Sequence, residues 1–211
     1  MPRVSDIGSR LAAYEPVLVE VGARRRASVA VVLRDRGAEA ELLFIERARR
    51  EGDPWSGHMA FPGGRREPED RNGRAAAERE TFEEVGVSLG GSRCLGRLDD
   101  LEGRPTTPGG GLVVSAYVYH LAEPSALLPN CEVEAAFWFP VASLREPERQ
   151  TVYPHAKYDG KHLPGILVGR PDRHIVWGLT YRFLDVLLSA VGSPLPDRWL
   201  AASRRSRGGS R

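Results

Sequence analysis

The sequence predicts an α/β fold in which a mixed β-sheet lies between helices. Apolar, β-branched runs such as 27–33 have the composition of buried strands. By contrast, 73–85 is rich in strong helix formers, and 175–191 has apolar residues at helical spacing. Strand-like and helix-like stretches alternate along the chain, which is typical of a sheet covered by helices.

The first elements follow from short apolar runs and turn signals. Residues 3–15 are predicted to form an amphipathic helix, whose apolar face is made by Ile7, Leu11 and Tyr14. The run at 27–33 and a second run at 41–46 flank a turn at 35–37, so we expect them to pair as a hairpin.

The later elements are predicted to be two long helices and several short strands. The helix formers of 73–85 are followed by Gly86, a residue suited to a left-handed stop. A second long helix is predicted at 175–191. Strands are expected at 59–61, 93–98, 112–121 and 133–139.

Composition excludes several classes of protein. The 211 residues suit one domain with a terminal extension, and 41% of them are hydrophobic, enough for an ordinary core. Four of the 30 basic residues lie in the last eight positions, so the body has no positive excess for binding nucleic acid. Two cysteines cannot build a disulfide framework, and neither a signal peptide nor a membrane span is apparent. We therefore expect a cytoplasmic protein without nucleic-acid or membrane partners.

An acidic cluster lies on the 73–85 helix. Glu80, Glu83 and Glu84 are spaced i, i+3 and i+4, so their carboxylates share one face within a turn. Such like charges repel unless a cation is present, and hard oxygen ligands suit Mg²⁺ or Mn²⁺, which also bridge to substrate phosphates. Arg79 can orient a carboxylate through a forked hydrogen bond. The alternative is a solvated helix face on which Arg79 pairs with Glu83.

The residues around the cluster favour the metal site over that alternative. Gly63 and Gly64 allow the backbone to adopt positive φ and to approach a ligand closely. Gly86 fixes the end of the helix and the turn beyond it. A loop, a helix and a second loop are therefore specified together.

The segment from Gly64 to Val87 resembles the signature of the Nudix hydrolases. That pattern is G, five residues, E, seven residues, then R-E-U-x-E-E-x-G-U, with U apolar. Here Asp70 stands six positions after Gly64, eight residues rather than seven separate it from Arg79, and Thr81 occupies the first apolar position. The aspartate and the extra residue resemble the coenzyme A pyrophosphatase branch, as do two further segments, 60–64 and 176–180.

The resemblance implies a Nudix-like α/β/α sandwich and hydrolysis of a nucleoside diphosphate linked to another group. Coenzyme A or an acyl-coenzyme A is the leading substrate that it implies, with ADP-ribose or NADH as the alternatives. Mg²⁺ or Mn²⁺ held by Glu80 and Glu84, with Glu83 as a direct or water-mediated ligand, would neutralise the diphosphate and activate the attacking water. Arg79 is assigned to the same catalytic group.

The general base has more than one candidate. Family members take it from the signature helix, where Glu80 could serve, or from a glutamate on a later loop. For the later position we name Glu134 and its neighbour Glu132, which precede the apolar strand 136–139 and share a strand face by their spacing. The alternative is that both are exposed charges at a strand edge.

Substrate contacts are expected ahead of the signature. Gly63 and Gly64 would approach the substrate, and the phosphates, including the 3′-phosphate of coenzyme A, would be bound by Arg47, Arg49 and Arg50. A solvated basic loop is the alternative for the arginines. Trp55 and His58 would stack on a base or contact the pantetheine arm, unless they pack on their own domain.

The resemblance also divides the chain. Residues 1–26 are expected to be a helical extension, 27–195 the Nudix hydrolase domain, and 196–211 a basic, disordered tail. The apolar face of the 175–191 helix is assigned to the core, with a homodimer contact as the alternative. A catalytically silent, nucleotide-binding module is the alternative function, but the presence of all three helix glutamates, Arg79 and both loop glycines favours an enzyme.

Overall fold

The protein contains two β-sheets and three α-helices within the residues that its computed structural model describes. These residues are 3–20, 22, 24–52, 55–103, 111–123, 126–154 and 162–196. The helices are α1 (Val4–Leu11), α2 (Gly73–Val85) and α3 (Gly178–Ala190). The strands of the larger sheet are β1 (Arg25–Arg36), β2 (Glu39–Arg47), β3 (Met59–Ala60), β4 (Gly63–Arg65), β5 (Arg93–Arg97), β6 (Leu101–Gly103), β7 (Leu112–His120) and β8 (Val133–Pro140). Those of the smaller sheet are β9 (Gln150–Pro154), β10 (His162–Leu167) and β11 (Ile175–Trp177).

The larger sheet is mixed. Its main path runs β3-β2-β1-β7-β5, while β4 pairs with β1, β6 with β7, and β8 with β2. Strands β1 and β2 form the predicted antiparallel hairpin, with Leu33 opposite Leu42. Strands β1 and β7 run parallel, with Ala27 opposite Val114. The predicted mixed sheet is therefore confirmed.

Helices cover both faces of this sheet. The side chains of β1 alternate, so that Val31 and Leu33 enter one apolar cluster and Ala30 and Val32 enter the other. The first cluster includes buried residues of α1 and α3, whereas the second includes residues of α2. This arrangement confirms the α/β/α sandwich and leaves α2 alone on its side of the sheet among the described helices.

Helix α1 belongs to the main core rather than to a detached extension. Its buried residues Val4, Ile7 and Leu11 are each at most 3% exposed. The helix ends at Leu11 rather than at 15, but Tyr14 still packs against the main core as predicted, and its hydroxyl donates a hydrogen bond to Asp99 at 2.6 Å. The division at residue 26 stays a prediction, and the tail from 197 onward lies outside the described residues. No described helix has the length and apolarity that a bilayer span requires.

Because Ile7 is buried, Ile7→Ala is expected to lower the free energy of unfolding by about 2–4 kcal/mol, since it leaves a cavity in the main core. Urea unfolding of the two proteins measures the difference. Ser5→Ala, on the exposed face of the same helix, is the matched control and should change stability by less than about 0.5 kcal/mol. Equal stability of the Ile7 variant and the parent would contradict the packing described.

The largest difference from the predicted elements lies after residue 150. Residues 175–177 form β11, which pairs with β10, so the second long helix begins at Gly178. The smaller sheet was not expected, because Pro154, Pro164 and Gly165 interrupt the apolar pattern by which strands are recognised.

Candidate active site

A cleft of about 690 Å³ opens between α2, the glycine loop and the start of α3. Its volume is typical of a site for a small molecule. Three kinds of side chain line it. The lining includes the carboxylates Glu80, Glu84 and Glu132, the arginines Arg47, Arg50 and Arg65, and a largely apolar group from β1, β7 and α3 together with Trp55, His58, Phe61 and Trp177.

The glycine pair places backbone directly against these carboxylates. Gly63 has a φ of 149°, and a Cβ at this position would lie 2.3 Å from the carbonyl oxygen of Ser28. A Cβ on Gly64 would lie 2.3 Å from the carboxylate carbon of Glu80. The Gly63 N–H donates a hydrogen bond to Glu84 Oε2 at 2.8 Å. Only glycines allow this approach, and the predicted positive φ is found at Gly63, whereas contact of the pair with a ligand stays a prediction.

Helix α2 has the predicted bounds. The side chain of Asn72 accepts a hydrogen bond from the backbone N–H of Ala75 at 2.9 Å and so caps the first turn. Gly86 ends the helix in the left-handed conformation with a φ of 72°. Both caps hold the glutamates of the helix in fixed positions beside β4.

The loop before β8 is bonded to the end of α2. The N–H of Leu128 donates to the carbonyl of Val85, and that of Asn130 donates to the carbonyl of Glu84, both at 2.9 Å. These bonds satisfy carbonyls that a helix end leaves without intrahelical partners. Glu132, two residues further on, is thereby brought to the cleft.

The buried carboxylates repel one another. Glu84 is only 2% exposed, and burial raises its pKa to about 7, with repulsion from Glu80 and Glu132 adding to the rise and the Gly63 N–H opposing it. Burial also raises the pKa of Glu80, while the adjacent Arg79 guanidinium lowers it. Carboxylates whose charged forms are disfavoured by burial and by mutual repulsion are suited to bind a divalent cation, because the cation would relieve that repulsion.

The third helix glutamate differs from the other two. Glu83 is exposed and pairs with Arg79 at 2.9 Å, the contact foreseen as the alternative for this residue. Across the described ranges, no three carboxylate, imidazole or thiolate side chains are gathered closely enough to form a metal cage by themselves. A cation at Glu80 and Glu84 would therefore complete its shell with water or phosphate oxygens, as Mg²⁺ commonly does.

Arg79 is held by a fork to Asp70. Its Nε and Nη2 donate to the two carboxylate oxygens of Asp70 at 3.2 and 3.0 Å, and Nη2 also reaches the Arg65 carbonyl and Glu80 Oε1, both at 3.2 Å. Hydrogen bonding to Arg79 lowers the pKa of Asp70. The aspartate that departs from the usual signature pattern thus anchors the arginine that contacts Glu80.

Because that pKa is lowered, Asp70 stabilises the fold above its unfolded-state pKa, and this stabilisation is lost as the pH falls through its folded-state pKa. Asp70→Asn is therefore expected to lower the free energy of unfolding by about 2 kcal/mol near pH 7. The difference in free energy of unfolding between this variant and the parent should become smaller as the pH is lowered. Urea unfolding at several pH values measures it, and a difference independent of pH would contradict the role of the carboxylate.

The other residues named from sequence divide between the cleft and the surface around it. Arg47 and Arg50 line the cleft, and Arg50 Nη1 pairs with Glu132 Oε1 at 2.9 Å. Arg49 is exposed and is not part of the lining. Glu134 is also exposed and outside the lining, 3.6 Å from Arg173, so the structure separates it from Glu132.

Residues 24–158, more than half of the chain, match the NUDIX domain. The chain belongs to the Nudix family. Among solved structures, a MutT/nudix family protein from Enterococcus faecalis has a TM-score of 0.51 at 17% identity, over 90% of this chain and 75% of that one. That likeness supports the Nudix fold.

The relatives in sequence include a coenzyme A diphosphatase. An uncharacterized protein of Schizosaccharomyces pombe is 36% identical over 164 residues, or 67% of this chain and 49% of the relative. The mitochondrial coenzyme A diphosphatase NUDT8 of Homo sapiens is 33% identical over 148 residues, or 69% of this chain and 60% of the relative. The chain thus spans about half to three fifths of the length of these relatives.

Part of the cleft wall lies beyond the matched NUDIX region. Trp177, Leu179 and Thr180 line the cleft from the end of β11 and the start of α3. The Thr180 hydroxyl donates to the Met59 carbonyl at 3.3 Å, which holds α3 against β3. From the sequence, 176–180 resembled the Nudix branch and the apolar face of the helix was assigned to the core, but neither this segment nor Arg65 beside the glycine pair was predicted to line a substrate site.

Proposed function

We propose that this Nudix protein hydrolyses the diphosphate linkage of a nucleoside diphosphate derivative, most favourably coenzyme A or an acyl-coenzyme A. The observation that carries the proposal is the gathering of Glu80, Glu84 and Glu132 beside Arg47 and Arg50 in one cleft. Carboxylates suit a divalent cation, and arginines suit phosphate oxygens. The coenzyme A class is supported by the 33% identity to a coenzyme A diphosphatase.

Mg²⁺ or Mn²⁺ is the proposed cofactor, and Glu80 and Glu84 are the proposed ligands. Bound there, the cation supplies the charge that neutralises the diphosphate and lowers the pKa of a water. Glu83 is proposed as a ligand through water only, because its carboxylate is exposed and paired with Arg79.

The chain's own residues bind and orient the substrate. We propose that Arg47 and Arg50 bind phosphate oxygens and that the backbone at Gly63 and Gly64 lies against the diphosphate. Arg79 is a positioning residue, because it contacts Glu80 and Asp70 rather than the centre of the cleft. Such positioning and electrostatic stabilisation supply most of the acceleration in phosphoryl chemistry.

We propose Glu132 rather than Glu134 as the general base outside the signature helix, because Glu132 lines the cleft. Its carboxylate would accept a proton from the attacking water once Arg50 turns to a phosphate. Glu80 remains the alternative base.

Glutamine variants of these two residues form a matched pair. Glu132→Gln is expected to lower kcat by about 10²- to 10⁴-fold, since it removes the proton acceptor. Glu134→Gln should stay within a few-fold of the parent. Steady-state hydrolysis measures both. Loss in the Glu134 variant alone would restore that residue as the base, and loss in neither would favour Glu80.

A substrate panel tests the function as a whole. Coenzyme A, an acyl-coenzyme A, ADP-ribose, NADH and diadenosine polyphosphates are incubated with the protein and Mg²⁺ or Mn²⁺, and the phosphate-containing products are identified. We expect coenzyme A and its acyl derivative to have the highest kcat/KM. Turnover of ADP-ribose or NADH alone would select the second substrate class. No turnover by folded protein would favour the silent binding module.

The cellular setting stays a prediction. We retain the cytoplasmic location, the absence of nucleic-acid and membrane partners, and the homodimer as an open alternative. The named human relative is described as mitochondrial. Fluorescence imaging of the tagged protein in its own cell tests the location.

A further inference from the structure

The lining of the cleft includes aromatic rings as well as charged groups. Trp55 lines the cleft and is 50% exposed. The His58 ring meets it edge to face, with centroids 6.2 Å apart. His58 is held in turn by Trp177 at 4.8 Å and by Tyr153 at 5.8 Å. The exposed indole thus stands on a packed group of rings.

The segment around Trp55 is hydrogen-bonded to the backbone of Arg47 and Arg50, the two arginines proposed to bind phosphate. Ser56 Oγ accepts a hydrogen bond from the Arg50 N–H at 2.5 Å and lies 2.9 Å from the Arg50 carbonyl. The His58 N–H donates to the Trp55 carbonyl at 3.2 Å, and the Arg47 N–H donates to the His58 carbonyl at 3.1 Å. These bonds hold the backbone that carries Trp55 against the backbone of Arg47 and Arg50, and all three side chains line the same cleft.

Trp55 differs from the other exposed apolar side chains. The large hydrophobic residues that are exposed within the described segments are Val17, Leu18, Trp55, Phe82 and Leu128. Of these, Trp55 is the one in the cleft lining. Exposed indole surface at the edge of a small-molecule cleft is suited to contact with a flat ring, because aromatic faces pack best in offset stacks.

We propose that Trp55 stacks on the purine base of the substrate and so favours a purine over a pyrimidine nucleotide. The inference rests on the proposed function, which places the diphosphate beside Arg47 and Arg50. The cleft volume of about 690 Å³ leaves room beyond a diphosphate. A flexible arm suits the aliphatic wall formed by Val29, Val114 and Leu179, whereas a planar base suits the open indole.

Binding of ADP tests the subsite without any need for turnover. Calorimetry and tryptophan fluorescence are measured for the parent, Trp55→Ala and Trp55→Phe. Removal of the ring is expected to weaken ADP binding about 5- to 100-fold. The phenylalanine variant should bind within a few-fold of the parent by calorimetry but lose the ADP-induced quenching, which assigns the signal to Trp55. Phe82→Ala, which removes an exposed aromatic ring outside the cleft, should bind like the parent.

Fragments of the substrate distinguish the base from its neighbours. Pyrophosphate should bind the parent and Trp55→Ala equally, because it has no ring. ADP should bind the parent more tightly than UDP, and this preference should disappear in Trp55→Ala. Quenching by 4′-phosphopantetheine but not by ADP would overturn the proposal, since the indole would then contact the arm. Absence of ADP binding to the parent would also overturn it.

Kinetics separate this inference from the proposed function. If the parent hydrolyses an adenine-containing diphosphate, Trp55→Ala should raise KM about 5- to 100-fold with little change in kcat. Unchanged KM would overturn the subsite and leave the hydrolase standing. ADP binding that quenches Trp55 in a parent without hydrolytic activity would support the subsite and overturn the hydrolase.

Discussion

Replacing Glu84 by glutamine is expected to remove most activity while leaving the fold intact. The substitution keeps the side-chain volume, and the amide oxygen can still accept the Gly63 N–H. It deletes one of the two carboxylates that are proposed to hold the cation, so kcat/KM should fall by at least about 10²-fold. Hydrolysis of coenzyme A, Mn²⁺ binding by calorimetry and thermal unfolding are measured together.

Two further results determine how this variant is interpreted. The stability of the metal-free variant should equal or exceed that of the parent, because a neutral side chain removes repulsion with Glu80 and Glu132. Glu83→Gln, on the exposed side of the same helix, should lose less than about tenfold in kcat/KM, since it is proposed to act only through water. Turnover of the Glu84 variant at the parental rate would refute its assignment as a ligand.

Replacing Arg79 by lysine is expected to lower kcat about 10²-fold although the charge is retained. A lysine cannot form the fork to Asp70 and at the same time bond to Glu80 and to the Arg65 carbonyl. Without that fork, Glu80 is no longer held against Gly64. A small misplacement of a cation ligand lowers the rate of the chemical step strongly. Steady-state kinetics should show a loss mainly in kcat, with KM little changed.

Arg74→Lys is the matched control for this change. Arg74 lies on the same helix and also bonds to a carboxylate, that of Glu78 at 2.9 Å, but it does not line the cleft. Its activity should remain within a few-fold of the parent. An Arg79→Lys variant with the parental kcat, or an equal loss in both variants, would show that the fork does not position the site.

Local features of the site could be predicted from the sequence because they depend on neighbouring residues. The bounds of α2 were predicted from its run of helix formers and from Gly86, and the clustering of Glu80 and Glu84 follows from helical spacing. The α/β/α fold was likewise predictable from alternating patterns. These inferences needed no knowledge of which distant segments meet.

The rest depended on contacts that spacing does not reveal. A spacing of two predicted one strand face for Glu132 and Glu134, but β8 begins at Val133, and Glu132 lies in a turn where its N–H donates to Asn130 Oδ1 at 2.8 Å. Strand β8 therefore includes Glu134 but not Glu132. Trp177 could not be placed in the cleft because its position depends on pairing between β10 and β11.

The bonds between the 128–130 loop and the end of α2 have a consequence for changes in chain length. Asn130 is attached through its N–H to the Glu84 carbonyl and through its side chain to the Glu132 N–H. One residue inserted between 130 and 132 would break this linkage. The Glu132 carboxylate would then move away from the cleft, although every side chain that lines the cleft was still present in the sequence. Recombination or loop grafting in this protein must therefore transfer the helix and that turn as a single block.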